Sequence, residues 1–377
     1  MKAYAYQNRV VGTAASVIDF LGRIILCGIR RGGPIEKRGV RRVLVIKLDH
    51  LGDCFLMTPL LENLQKIFQG VVVDVLCQET AAPLFRGNPF IREIITFNYW
   101  RAHRGMHPEG FGRLMYIIRA HRDNYDMVID ARGEPIAALA SYLLRARYRI
   151  GFQKEEIGSF FYTHAIDWNW HDHETDKYRH LLAALGLIVH EWRPKLYLSE
   201  EEKTATKKFL PAGDFVAFGM GSGAKYKQYP PERFAEVWNE EIRNDLSVIL
   251  FGGRGEEWEV EAFEKMASRN VIDFVGKLTI RETYDILGHA KLFLGNDSLL
   301  AHFAGALGMP TIDLANGAVN MNRWRPLGPR SVIITGRKEG HKCLMGDEYP
   351  CPNMQAISTH DIQKAWETLC GGSPTIL

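Results

Sequence analysis

The sequence lacks the features that mark several large classes of protein. It has no strong excess of one charge: 47 Lys and Arg stand against 44 Asp and Glu, for a net charge of +3. A dedicated nucleic-acid binder shows a much larger basic surplus. Six cysteines (Cys27, Cys54, Cys77, Cys343, Cys351 and Cys370) are scattered at no framework spacing. They read as reduced thiols in a cytosolic compartment, not as a disulfide scaffold. There is no internal repeat, no low-complexity segment, no Walker spacing and no complete G-x-G-x-x-G fingerprint. A long uncharged apolar run is missing as well. The nearest approach, "RVVGTAASVIDFLGRIILCGIRR" at residues 9–31, is interrupted by Asp19 and Arg23. Each such charge costs roughly 2.5–3.5 kcal/mol at a membrane centre, and no small-residue cleavage site follows as in a secretory signal.

Within that run Val10, Val11, Val17, Ile18, Leu21, Ile25 and Leu26 fall near helical spacing. Two readings stand. One is an amphipathic helix on a membrane surface, with Arg23, Arg30, Arg31, Lys37, Arg38, Arg41 and Arg42 toward anionic lipid. The other is an extra helix packed on the first domain.

What the sequence does contain is an α/β pattern in a chain of 377 residues, long enough for two hydrophobic cores. Apolar β-branched runs at 43–48, 71–77, 91–97, 125–131 and 147–152 alternate with helical patterns such as "PLLENLQKIF" and "PIAALASYLLR". "DKYRHLLAALGL" reads as a helix and "RPKLYLSEEEK" as a connector. A second series of strands is predicted at 214–219, 246–252, 271–276, 291–296, 310–315 and 331–336, with helices starting near Pro231, Glu256, Ile280 and Ser298. Such alternation means βαβ units and parallel sheets. The expected organisation is an N-terminal extension (1–40), two facing Rossmann-like doubly wound domains (41–195 and 196–350) with a cleft between them, and a C-terminal helix and tail (351–377). Ligands in such folds bind at the carboxyl ends of the strands.

Three glycine-bearing turns follow strands of the second series. "FGMGSGAKYKQYPPERF" places Gly219, Gly221, Ser222 and Gly223 between strand and helix, with Lys225 and Lys227 near enough to pair with phosphate oxygens. "FGGRGEEWE" adds Gly253, with Glu256 at a helix start, where a carboxylate either complements the dipole or grips a ribose hydroxyl. "FLGNDSLLAHFAGALG" carries Asn296, Asp297, Ser298, Leu299 and His302; Asp297 or Ser298 is expected to cap the helix, whose free amides suit an anion. Each turn alone is equally a plain strand-to-helix connection; three at successive strand ends favour a nucleotide.

In the first series, "VLVIKLDHLGDCFLMTP" breaks from an apolar strand into Asp49, His50, Gly52 and Asp53. Asp53 reads either as a helix N-cap, worth about 1 kcal/mol, or as a carboxylate facing the cleft. A helix already begun there is expected to kink at Pro59.

Taken in order, "VLVIKLDHLGDCFLMTPLLENL", "GNPFIREIITF", "YDMVIDARG", "YRIGF", "KQYPPERFAEV", "LFGGRGEE", "FVGKLTIRE" and "FLGNDSLLAHFAGALGMPTIDL" resemble family 9 of the glycosyltransferases, the heptosyltransferases of lipopolysaccharide core assembly. The resemblance implies the GT-B fold, an ADP-activated heptose donor, a lipopolysaccharide-core or related glycolipid acceptor, and inversion at the anomeric carbon without metal or cofactor. It implies Asp53 as general base and Lys227 as the charge facing the departing diphosphate; a helix N-terminus would keep the Asp53 carboxylate ionised, at some cost in basicity. Glu256 falls where the family has an acid near the donor ribose; Asp297, Ser298, Leu299 and His302 fall at its diphosphate-binding helix start. Some positions depart from the pattern. Leu299 replaces the usual Gly, Tyr229 replaces Trp, and Asp49-His50 replaces the commoner pair of serines. The cysteine pair of "CLMGDEYPC" with His341 is too sparse to read as a metal site.

Asp49, His50, Arg101, Arg104 and Arg132 are the acceptor-side candidates. Arginine reads the carboxylates and phosphates of core sugars bidentately, although the segment 98–122 is equally a solvated basic helix. The resulting expectation is a transferase peripheral to the cytoplasmic membrane surface. Its alternatives are a GT-B enzyme using another nucleotide sugar for a surface polysaccharide, and a catalytically silent GT-B protein that binds glycan.

Overall fold

In the computed structural model of the protein, the described residues are 33–98, 108–153, 158–169, 171–240, 246–268, 270–341, 343 and 349–370. The expected helix at 9–31 and the candidates Arg101 and Arg104 lie outside them. The chain divides into two compact units, Met1–Tyr197 and Leu198–Leu377.

The first unit holds a six-stranded parallel sheet made of β1 (Arg42–Lys47), β2 (Val72–Cys77), β3 (Glu93–Thr96), β4 (Met127–Asp130), β5 (Tyr148–Gln153) and β6 (His164–Asp167), in the order β3-β2-β1-β4-β5-β6. The second repeats it with β7 (Phe215–Gly219), β8 (Ser247–Phe251), β9 (Val271–Asp273), β10 (Phe293–Asn296), β11 (Thr311–Asn316) and β12 (Ser331–Gly336), in the order β12-β11-β10-β7-β8-β9. Counted within its own unit, each sheet has the order 3-2-1-4-5-6 of a doubly wound fold. The strand order therefore reverses between β1 and β4 and again between β7 and β10, and crevices at such switch points receive ligands.

Each of the eleven apolar runs of the sequence overlaps one of these strands, because strands covered on both faces are almost wholly buried and read as continuous apolar stretches. β6 was not expected. It is an edge strand of only four residues, half exposed on alternate positions, and has no apolar run to betray it. The connector likewise hides a short helix, Glu200–Thr206. Its Ser199 hydroxyl accepts from the Glu202 N–H while the Glu202 carboxylate accepts from the Ser199 N–H, a reciprocal cap.

Helix α1 (Leu51–Ile67) starts directly after β1 and contains Pro59. Proline has no N–H for the carbonyl four residues back, Phe55. The Thr58 hydroxyl donates to that carbonyl instead at 2.8 Å, and the Trp192 indole donates to the Leu56 carbonyl at 2.8 Å. The helix therefore passes the proline with these carbonyls satisfied by side chains.

Candidate functional site

At the switch point of the first unit, the carboxyl ends of β1 and β4 carry a buried charge network. Lys47 is wholly buried and donates to Asp49 at 2.9 Å; its ammonium lies 3.9 Å from Glu174. Arg132 donates to the same Asp49 and to the Leu48 carbonyl, and its Nε stands 2.6 Å from Glu134. Glu174 in turn pairs with the buried Lys177. Asp130 shapes the turn that presents Arg132: its carboxylate accepts from the backbone N–H groups of Arg132, Gly133 and Glu134 and from the Tyr162 hydroxyl.

Asp53 stands inside this network with its Oδ1 buried and without a hydrogen-bond partner. It is the third residue of α1 and not its cap; His50 occupies the cap position without a side-chain cap bond. The helix end is outweighed at this carboxyl by its surroundings. Burial first, and the negative charges of Asp49 and Glu174 after it, push Asp53 well above the usual carboxylate range, against the pull of Lys47 and Lys177. Asp49 is the opposite case. Burial alone would raise it, but Lys47, Arg132 and Lys177 hold it well below that range. Two acids four residues apart are thus driven in opposite directions, the pattern by which acid–base roles divide in enzyme sites. Asp49 and Arg132, read from sequence as acceptor contacts, are committed to each other; His50 is exposed beside them.

At the switch point of the second unit, Lys227 donates to Asp297 at 2.7 Å, joining the turn after β7 to the one after β10. The Ser222 hydroxyl donates to the Asp297 carbonyl at 3.2 Å, and Asn296 accepts from the Tyr229 N–H at 2.9 Å while donating to the Met220 carbonyl. Burial opposes the charge of Lys227, but Asp297 outweighs it and holds the ammonium above its ordinary value. The Glu256 carboxylate accepts from the N–H groups of Gly253, at 2.6 Å, and Ser222. It lies so close over two glycines that a Cβ at Gly221 would stand 1.9 Å from its Oε2, and one at Gly252 2.8 Å. These glycines exist for close approach, and Glu256 is the residue approaching. Burial leaves this carboxyl above its usual range.

The helix after β10 is α2 (Leu299–Leu307). Ser298 is its cap residue but makes no side-chain cap bond, and its Oγ is buried without a partner, so neither Asp297 nor Ser298 caps as expected. Leu299 is the first helical residue and is half-buried; His302 is buried one turn on. Lys225 and Lys227 sit in one short turn of 3-10 helix, Lys225–Lys227, while Gly219 ends β7 and Gly223 lies in the open part of the turn. Lys47, Glu134, Glu174 and Lys177 in the first unit, and Asp313 in the second, belong to these clusters but were not read from the sequence. The signal was charge inside apolar runs, such as the lysine of "VLVIKL" and the acid of "PTIDLA". Among the described residues no group of three or more His, Cys, Asp or Glu is arranged to hold a metal ion.

Residues 115–352 match the model of glycosyltransferase family 9 (heptosyltransferase). The chain is 24% identical over 287 residues to lipopolysaccharide heptosyltransferase 3 of Escherichia coli, covering 73% of this chain and 83% of that one. It is 24% identical over 322 residues to lipopolysaccharide heptosyltransferase 1 of Pseudomonas aeruginosa, covering 82% and 85%. Among solved structures, a family 9 glycosyltransferase from Veillonella parvula superposes with a TM-score of 0.72 at 22% identity, covering 89% of this chain and 99% of that one. The E. coli ADP-heptose heptosyltransferase II gives 0.71 at 20% identity, over 87% and 98%. These neighbours carry the GT-B fold, which the two six-stranded units share.

Proposed function

The chain belongs to glycosyltransferase family 9, the heptosyltransferases, and on that premise we propose that it moves a heptose from an ADP-activated donor to a lipopolysaccharide-core or related glycolipid acceptor, with inversion. The second unit takes the donor and the first the acceptor. Asp53 accepts the proton of the acceptor hydroxyl as that oxygen bonds to the anomeric carbon. The bond from that carbon to the diphosphate oxygen breaks, and ADP leaves against the charge of Lys227 and the free amides that begin α2. Attack opposite the leaving group inverts the centre. Positioned charge at a departing anion is worth several kcal/mol in such chemistry. A raised Asp53 suits its role, because a base works best when its pKa approaches the working pH.

The observation that carries the donor assignment is the convergence of Lys227, Asp297, the glycine turns and the start of α2 at one switch point. A relative solved with ADP, an E. coli heptosyltransferase, supports it. The test is thermal unfolding with added nucleotides. A ligand at about a hundred times its Kd adds roughly 2.7 kcal/mol, so ADP is expected to raise the Tm and Lys227→Ala to weaken that rise. Absence of a shift with any nucleotide refutes the assignment. Transfer is expected to survive chelation of divalent metal.

A second reading, transfer from another nucleotide sugar, is favoured by Leu299, whose side chain stands where the family usually has none. Release of free nucleotide from a panel of sugar donors, with extracted core glycolipid as acceptor, separates the two. We place the enzyme at the cytoplasmic membrane surface, attached through residues 9–31. No helix among the described residues is long and apolar enough to cross a membrane. Flotation with vesicles of the full chain and of one starting near Arg41 decides: equal flotation removes this attachment.

A further inference from the structure

Asp313 lies in the middle of β11, in register with Gly295 on β10 and Ile333 on β12. It is wholly buried, yet neither carboxylate oxygen has a hydrogen-bond partner. Its strand neighbours Ile312 and Leu314 point the other way, into the core beneath the helices Pro352–Gln355 and Thr359–Cys370. An isolated buried carboxylate does not persist as an anion; it takes up a proton. Burial first, and the charge of Asp297 after it, drive Asp313 well above the usual range, and Lys227 opposes them only in part. Of the other elements against β11, Gly295 and Ile333 carry no charge, α2 contributes His302 as its one titratable residue, and the short turn Lys225–Lys227 brings Lys225 and Tyr226 besides Lys227 itself.

At rest, Lys227 serves Asp297 at 2.7 Å. An incoming nucleoside diphosphate claims the same ammonium. Asp297, almost fully buried, then loses its cation just as new negative charge arrives beside it. Two anions cannot share one lysine in this setting without a further donor.

We propose that Asp313, held as a carboxylic acid, is that donor: its O–H turns to Asp297 when the diphosphate draws Lys227 away, so that the two acids share one proton and one lysine serves two anions in turn. Asp313 is thus a positioning residue for donor binding. The inference rests on the nucleotide-donor reading of the second unit.

The experiment is calorimetric titration of the full-length protein with ADP, from neutral to alkaline pH, for the wild type, Asp313→Asn and Asp313→Val. The amide of Asn donates a hydrogen bond without titrating. Asp313→Asn is therefore expected to keep the wild-type affinity near neutrality and to lose the alkaline weakening that the wild type shows. Asp313→Val has the size but no donor, and is expected to bind ADP roughly ten- to a hundredfold more weakly, the worth of one hydrogen bond to a charged group. If Asp313→Val does not fold, the contrast between the pH profiles of the wild type and Asp313→Asn decides alone. Wild-type affinity that follows the same profile as Asp313→Asn, or Asp313→Val binding as tightly as the wild type, overturns the proposal and leaves the donor site standing. Failure of ADP to bind the wild type at any pH overturns both.

Discussion

Replacing Gly221 by alanine tests the donor unit through a single methyl group. The new Cβ would stand 1.9 Å from Oε2 and 2.4 Å from Oε1 of Glu256, far inside contact distance. A glutamate side chain can swing aside, so the steric cost itself is small. Moving, however, means releasing the N–H groups of Gly253 and Ser222, which this carboxylate ties together across the turns after β7 and β8. Hydrogen bonds to a charged group contribute about 1.5–3 kcal/mol each, toward the lower value where solvent reaches them. Gly221→Ala is therefore expected to cost roughly 2–4 kcal/mol, and Glu256→Ala a similar amount through the same two bonds. The decisive quantity is their combination. With Glu256 already truncated the three atoms nearest the methyl are gone, so the double variant should be no less stable than Glu256→Ala alone. The interaction energy is then about 2 kcal/mol or more, within the range seen for residues in contact. Urea denaturation of the four proteins measures it. Additive losses would show that the Cβ and the carboxylate do not compete, and the account of these turns would fail.

Asp53→Asn is expected to lower transfer by roughly 10²–10⁴-fold, the range for loss of a general base, while leaving the ADP-induced rise in Tm intact; nucleotide release assays report the first and thermal scans the second. Because Asp53 is raised and acts when deprotonated, kcat/KM should climb with pH through a value above the ordinary carboxylate range, and a flat acid limb would contradict this. Glu259, nearly fully buried with both oxygens lacking hydrogen-bond partners, is pushed up from 4.5 to about 8 by burial and by Glu256. The folded state binds that proton more tightly than the unfolded chain, so stability is expected to fall as pH rises from 4.5 toward 8. Glu259→Gln should flatten that decline in denaturation series, by roughly 4–5 kcal/mol at the alkaline end. Thr58→Val removes the hydroxyl that donates to the Phe55 carbonyl above Pro59 and accepts from the Lys195 N–H. It should cost about 1–3 kcal/mol in the same assay, with ADP binding unchanged.

Much of this architecture is legible without coordinates because its strands are buried on both faces. A run such as "SVILF" has one reading in a chain that alternates with amphipathic helices. β6 escapes it, being short, polar and settled by its pairing with β5; the Ser199-capped helix is also short and polar, although its Ser-x-x-Glu start is written in the sequence. The sites divide similarly. Asp53 and Lys227 stand at strand ends beside glycine, where a polar residue is conspicuous. Lys47 and Asp313 sit inside apolar runs, and their meaning comes only from what folding sets beside them: Asp49 and Glu174 for one, Lys227 and Asp297 for the other. No spacing rule links residue 47 to 174 or 227 to 313.

The network around Lys47 also bears on how this sequence can drift. Lys47, Arg132 and Lys177 face Asp49, Asp53, Glu134 and Glu174, so each cation is shared among neighbouring acids. Charges neutralised as a set resist replacement one at a time, because each single loss strands a partner away from water. Asp49 and Arg132 are therefore expected to appear and disappear together among descendants of this chain, a pairing that can be looked for in sequences alone.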